Sequence, residues 1–372
     1  MTAVSAARLP ISVLTGFLGS GKTTLLSRII RDPRMARTAV IINEFGEVGL
    51  DHLLVSKADE NTVLMDSGCI CCTIRSDLAD TLRDLYMRRL RDEVPEFDRV
   101  VIETTGLADP APILHTLMTD PLVAARFRLD GVVTTVDAVH GMGQLDGQEE
   151  SLKQAAVADR LVLTKTDIAT PEAVDYLKHR LNELNPGAII VDAQGQEALP
   201  VLLFDAGLYN PETKSLDVQR WLRAEAYEEP HGHHHHDHDH HDHDHADCDH
   251  DHGHCEHEGH DHDHDPNRHD QAIGAFCLTF EQPLVWDELV GFLETLARMR
   301  GPDVLRVKGV LNVQESDLPI VIHGVQHLFH PPVQLDAWPS DDRRSRIVFI
   351  TRDISRQVVE TLYASCTGKS VG

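Results

Sequence analysis

Gly16-Phe17-Leu18-Gly19-Ser20-Gly21-Lys22-Thr23, with Thr24 behind it, fits the phosphate-loop pattern G-x-x-x-x-G-K-[ST]. The context fits as well. Ile11 to Thr15 is a short apolar, β-favouring run that reads as a buried strand. Thr24 to Ile30 suits a helix, and Asp32-Pro33 stops it. Glycines let successive N–H groups point inward at a positive helix N-terminus and cradle phosphate oxygens. On this reading Gly16, Gly19, Ser20, Gly21, Lys22, Thr23 and Thr24 bind a nucleotide. Lys22 reaches the β- and γ-phosphates, and Thr23 holds Mg²⁺.

The strands that follow deliver more chemistry. Thr38 to Ile42 is apolar and ends in Asn43-Glu44-Phe45-Gly46-Glu47, which taken alone reads as an ordinary acidic loop. Thr62 to Met65 runs into Asp66-Ser67-Gly68 and then Cys69-Ile70-Cys71-Cys72. Thiolates favour Zn²⁺ and other late transition metals. Three thiols leave a tetrahedral site open, to be completed by a carboxylate such as Glu47, by water or by a partner's ligand. Cys69 can pair with Cys71 or with Cys72. From spacing alone, metal binding, buried structural cysteines and a redox pair all stay open.

Ile74 to Leu90 reads as a helix, with Leu78, Leu82, Leu85 and Leu90 near helical spacing. Asp98 to Ile102 is a strand that delivers Glu103-Thr104-Thr105-Gly106. An acidic residue at such a strand end, downstream of a phosphate loop, holds Mg²⁺ or its water, so Glu103 is a metal and catalytic candidate. Gly106 lets a backbone N–H approach the γ-phosphate and sense its presence. Asp130 to Val136 ends at Asp137, and Arg160 to Leu163 ends in Thr164-Lys165-Thr166-Asp167. This tetrapeptide is close to the Asn/Thr-Lys-x-Asp loop that reads guanine. Its aspartate, here Asp167, accepts from N1–H and the 2-amino group, and the Lys165 stem packs on the base. Thr164 stands where asparagine is usual, which puts one supporting hydrogen bond in doubt. With Pro171 to Leu184 a helix and Ala188 to Val191 a strand, the alternation gives a doubly wound α/β sheet.

Together these motifs resemble the CobW-type metallochaperone GTPases over nearly the whole chain. The carriers are Gly16 to Thr24, Asn43 to Glu47, Gly68 to Cys72, Glu103 to Gly106 and Thr164 to Asp167. The resemblance implies a slow GTPase whose nucleotide state is coupled to a metal at Cys69, Cys71 and Cys72, with Glu47 a further ligand. It implies delivery of zinc, cobalt or iron to a client metalloprotein. Zn²⁺ is the favoured cargo, with Co²⁺ or Ni²⁺ as alternatives, and a homodimer stays open.

From His231 to His269 the chain carries 18 of its 25 histidines, alternating with Asp and almost free of apolar residues. Such a composition cannot form a core and reads as a disordered linker over 229–270. Neutral imidazoles there suit a metal reservoir, or the segment is a hydrophilic spacer. Beyond it, strand, helix, strands and helix over 271–372 suggest a small α+β domain, similar to the CobW C-terminal domain in Arg306-Val307-Lys308-Gly309. His323, His327 and His330 read there as ordinary surface or packing histidines. The phosphate-loop GTPase domain takes 1–228.

The whole chain bounds these readings. At 372 residues it can hold two domains, and its formal charge of -26 argues against nucleic acid and anionic membranes. No run has the length of a membrane span, and the first ten residues are not a secretory signal. Seven cysteines, an odd number with three clustered, do not suggest a disulfide framework, so a cytoplasmic setting is expected. The leading expectation is a GTP-hydrolysing zinc metallochaperone. Metal storage through the histidine segment, and cobalt handling in cobalamin synthesis, are the alternatives.

Overall fold

Alternating apolar strands and amphipathic helices produce the layered sheet the sequence calls for. The structure, a computed structural model, describes residues 8–43, 63–66, 74–195, 199–204 and 273–371. Seven strands form the first sheet: β1 (Leu9–Gly16), β2 (Thr38–Asn43), β3 (Val63–Asp66), β4 (Arg99–Thr104), β5 (Phe127–Asp137), β6 (Arg160–Thr164) and β7 (Ile189–Asp192). Their order is β3-β2-β4-β1-β5-β6-β7, and every pairing is parallel. The helices are α1 (Lys22–Ile29), α2 (Ile74–Leu90), α3 (Ala111–Thr119), α4 (Pro121–Arg126), α5 (Gly141–Gly147), α6 (Glu149–Ala156), α7 (Pro171–Leu184) and α8 (Leu199–Leu203).

Strand side chains alternate between two cores, as the two-residue pleat requires. Ile41, Val100 and Ile102 pack with Leu78, Leu82 and Leu114 on one face. Val40, Ile42 and Val101 pack with Leu25, Leu26 and Ile29 on the other. Leu78, Leu82 and Leu85 of α2 are buried as their spacing predicts, but Leu90 is 57% exposed. It ends the helix twelve residues after Leu78 and so drifts off the buried stripe.

The second sheet is antiparallel. It comprises β8 (Ile273–Phe280), β9 (Val304–Val313), β10 (Ser316–Val325), β11 (Leu328–Phe329), β12 (Val333–Gln334) and β13 (Ser345–Arg352), with order β11-β10-β9-β13-β8 and β12 against β10. Helices α9 (Trp286–Arg300) and α10 (Arg356–Thr367) cover one face. Leu289, Phe292 and Leu296 of α9 and Tyr363 of α10 pack there on Val307, Leu311 and Phe349. The sheet also joins the first core, because Leu305 and Ile350 pack among Leu161, Leu163 and Leu177.

A buried ion cluster pins this junction. Asp159, just before β6, accepts from Arg306 Nη2 at 3.0 Å and from Lys308 Nζ, and its other oxygen accepts the Val132 N–H at 2.8 Å. Burial opposes the charge on Asp159, yet the two cations hold its carboxyl far below the usual range. Burial, with Arg306 and Lys308 nearby, pushes His323 well below its ordinary value. His330 is buried and His327 exposed, so these histidines are divided between packing and surface.

Candidate functional site

The glycine loop joins β1 to α1 at the carboxyl edge of the sheet, where open α/β folds bind ligands. Gly21 caps α1 in the left-handed region, with φ 85°, which lets the loop enter the helix without strain. Lys22 Nζ lies inside the loop and donates to the carbonyls of Gly16 at 2.9 Å and Phe17 at 3.1 Å. The Thr23 hydroxyl donates to Glu103 Oε1 at 2.7 Å, and Glu103 is 4% exposed at the end of β4. Gly106 presses so closely on the loop that a Cβ there would stand 2.7 Å from the Leu18 nitrogen. Any side chain would force the two loops apart. Gly19, Gly21, Lys22, Thr23, Thr24, Glu103 and Gly106 thus surround one cavity of about 300 Å³.

Gly16 and Ser20 are not among the residues that line this cavity. The Ser20 hydroxyl shares a hydrogen bond of 2.6 Å with Thr135 Oγ1 on β5, and its N–H donates to the Phe17 carbonyl at 3.1 Å. A Cβ on Gly16 would collide with Thr135. Both residues shape the loop from beneath, away from the cavity.

A second cavity of about 320 Å³ lies on the other side of α1, walled by Leu25, Arg28, Thr164, Lys165, Asp167, Ala193 and Gln194. It shares Gly21 and Thr24 with the first, so one ligand can span both. Thr164, which stands where asparagine is usual, makes its own link to the phosphate loop. Its hydroxyl donates to the Ser20 carbonyl at 2.8 Å and ties this loop to the phosphate loop.

Lys165 adopts φ 59° and sends Nζ to Asp137 Oδ2 at 2.7 Å. Asp137 is 1% exposed and also accepts from the N–H of Val139 at 2.8 Å and from His140. Burial would raise its carboxyl, but Lys165 and these donors hold it below the usual range, so it stays charged. Asp167 Oδ1 accepts from Gln194 Nε2 at 2.9 Å. Sequence reading placed Asp137 at its strand end without a role and passed over Gln194. For Asp137 the signal was there, an acid on a strand beside the one that delivers Lys165.

Cys69, Cys71, Cys72 and Glu47 lie outside the described residues, and among the described residues no cluster of His, Cys, Asp or Glu could hold a metal ion. The strands that lead to these motifs are placed. Ile42 of β2 pairs with Asp66 on one side and with Glu103 on the other, so β3 ends level with the Glu103 edge.

Fold and site define a phosphate-loop nucleotide hydrolase with a guanine-type base loop and an appended antiparallel domain. The chain belongs to the CobW family of GTPases. Residues 10–192 match the CobW/HypB/UreG nucleotide-binding domain, and residues 273–367 match the cobalamin synthesis protein cobW C-terminal domain. The chain is 29% identical over 354 residues to the zinc chaperone YjiA of Escherichia coli, covering 95% of this chain and 97% of that protein. It is 34% identical over 190 residues to the zinc-regulated GTPase metalloprotein activator 1 of Schizosaccharomyces pombe, covering 49% of this chain and 45% of that one. Among solved structures, the Zn(II)-bound YjiA GTPase of E. coli superposes with a TM-score of 0.67 at 26% identity, covering 97% of this chain and 99% of that one. No helix among the described residues is long and apolar enough to cross a membrane.

Proposed function

We propose that this GTPase is a metallochaperone that carries Zn²⁺ at Cys69, Cys71 and Cys72, with Glu47 as a further ligand, and releases it to a client metalloprotein as GTP is hydrolysed. The observation that carries the reading is the register at the sheet edge. Asp66, three residues before Cys69, and Glu103 both pair with Ile42. At about 4.8 Å per strand step, the two strand ends stand about 10 Å apart. Strand β3, after which the cysteine motif follows in sequence, thus ends beside the Glu103 edge, and this supports the reading. The relatives named as zinc chaperone and zinc-regulated activator support Zn²⁺ as cargo. Co²⁺ and Ni²⁺ are the competing ions, and a cytoplasmic setting belongs to the same proposal.

The residues present suit phosphoryl transfer by positioning and charge neutralisation. The loop amides and Lys22 take the phosphates, and Asp167 with the Lys165 stem takes the guanine. The Thr23 hydroxyl and the Glu103 carboxylate are hard oxygen donors 2.7 Å apart at the cavity wall and fit Mg²⁺. Thr23 and Glu103 would hold the ion there, and it would supply positive charge against the phosphates. Lys22 donates to the carbonyls of Gly16 and Phe17, and a phosphate would offer it charged acceptors, which make stronger hydrogen bonds than these neutral ones.

Metal titration of the full chain, of a chain lacking residues 231–269 and of Cys71→Ala tests the assignment. One tight equivalent that survives the deletion and is lost in Cys71→Ala is expected. Many equivalents that vanish with the deletion would make the protein a metal store instead.

A further inference from the structure

Helix α6 is clasped at both ends by the second sheet. At its first residue, Glu149 accepts from Arg352 of β13. Just past its last turn, Asp159 accepts from Arg306 and Lys308 of β9. In its middle, Gln154 is wholly buried, and its Nε2 donates to the carbonyls of Gly106 at 3.2 Å and Ala108 at 3.0 Å. The Ala108 N–H closes that turn by donating to the Thr105 carbonyl at 3.2 Å. Gln154 Oε1 is also buried, and no donor among the described residues reaches it.

An amide used at one end and unmatched at the other is a poor packing element. A methionine would fill the same volume without burying an unmatched acceptor. What the amide adds is a fixed backbone in the turn that lines the phosphate cavity and presses on Leu18. We propose that Gln154 is a positioning residue for GTP hydrolysis, holding the Thr105–Ala108 turn against the phosphate loop and linking its position through α6 to the second sheet. The proposal rests on the reading of that cavity as the GTP site. When the turn relaxes after phosphate loss, Gln154 moves with it, and the ion pairs at both ends of α6 pass the movement to β9 and β13.

The test uses the full-length chain with GTP, with GDP and with a non-hydrolysable GTP analogue. Gln154→Met is expected to melt near wild type and to bind GDP within about twofold, while kcat drops roughly tenfold or more, as a misplaced γ-phosphate loop requires. Hydrogen exchange across 304–313 and 345–352 is expected to differ between GDP and analogue in the wild type and to become equal in Gln154→Met. Glu149→Gln, a milder change at a residue that lines neither cavity, is expected to hydrolyse GTP normally and to lose the nucleotide-dependent exchange difference in β13. A folded Gln154→Met with wild-type kcat, or an exchange difference that persists in both variants, would overturn the proposal. A wild-type chain that does not hydrolyse GTP would remove the underlying reading instead.

Discussion

The two ends of the nucleotide site are built differently. At the phosphate end Lys22, Glu103 and Ser20 are buried, Thr23 is half-buried, and all are already matched: Lys22 to loop carbonyls, Thr23 to Glu103, Ser20 to Thr135. At the base end Asp167 and Gln194 are exposed and hold one another. Asp137, behind Lys165, and Thr164, the tether to the phosphate loop, are buried behind them. Preorganised charge serves catalysis, because it costs no rearrangement during the reaction. Exposed, singly tethered side chains serve selection, because they can close on a base after it arrives. Catalysis and selectivity should therefore separate when the two ends are altered one at a time.

The largest effect is expected at the phosphate end. Lys22→Ala should lower kcat for GTP roughly 10²- to 10³-fold, as loss of a preorganised charge donor does, with the circular dichroism spectrum unchanged. Normal turnover by a folded variant would break the distinction. At the base end, Asp167→Asn should weaken GTP by roughly 10- to 100-fold, the worth of a lost charged hydrogen bond, and admit xanthosine triphosphate. Its kcat at saturation should stay near wild type. A competition assay with ATP checks the starting point, since a wild type that takes ATP as readily as GTP has another base reader.

Thr164→Ala should cost about 1 kcal/mol of GDP affinity, about fivefold, by leaving the buried Ser20 carbonyl without its donor. Calorimetric titration would measure it. Smaller still is the effect of acid. Asp137 and Asp159 titrate below their ordinary range, so their contribution to stability is complete above about pH 4 and is lost as pH falls through their lowered values. Urea midpoints should be insensitive to these two groups between about pH 5 and 8 and should fall below about pH 4. A decline that sets in near pH 6 would point to histidines instead.

The sheet was legible because parallel strands buried on both faces read as plain apolar runs, as in Val100-Val101-Ile102. Helix α2 runs over the residues its leucine spacing marks, and α7 begins where Thr170 caps it through the Ala173 N–H. Helices α3 and α4 were not read. Each is short and starts beside a proline, although Asp120 caps α4 in a recognisable Asp-Pro sequence. Most residues that line the two cavities stand in recognisable motifs, whereas residues that act through others carry no such signal. Nothing near Gln154 in sequence announces the carbonyls of Gly106 and Ala108. Arg306 and Lys308 alternate on one strand face, but the Asp159 that balances them is distant in sequence and no local pattern points to it.

The central claim is that nucleotide and metal share one switch at the edge formed by β3, β2 and β4. Zn²⁺ affinity should be measured by chelator competition on the full chain, once with GDP and once with a non-hydrolysable GTP analogue. Coupling of ordinary size makes the two affinities differ by about 5- to 150-fold, with the analogue form tighter, and by linkage Zn²⁺ tightens the analogue by the same factor. Cys71→Ala should erase the difference. Equal Zn²⁺ affinity in the two nucleotide states of the wild type would contradict a chaperone cycle driven by GTP.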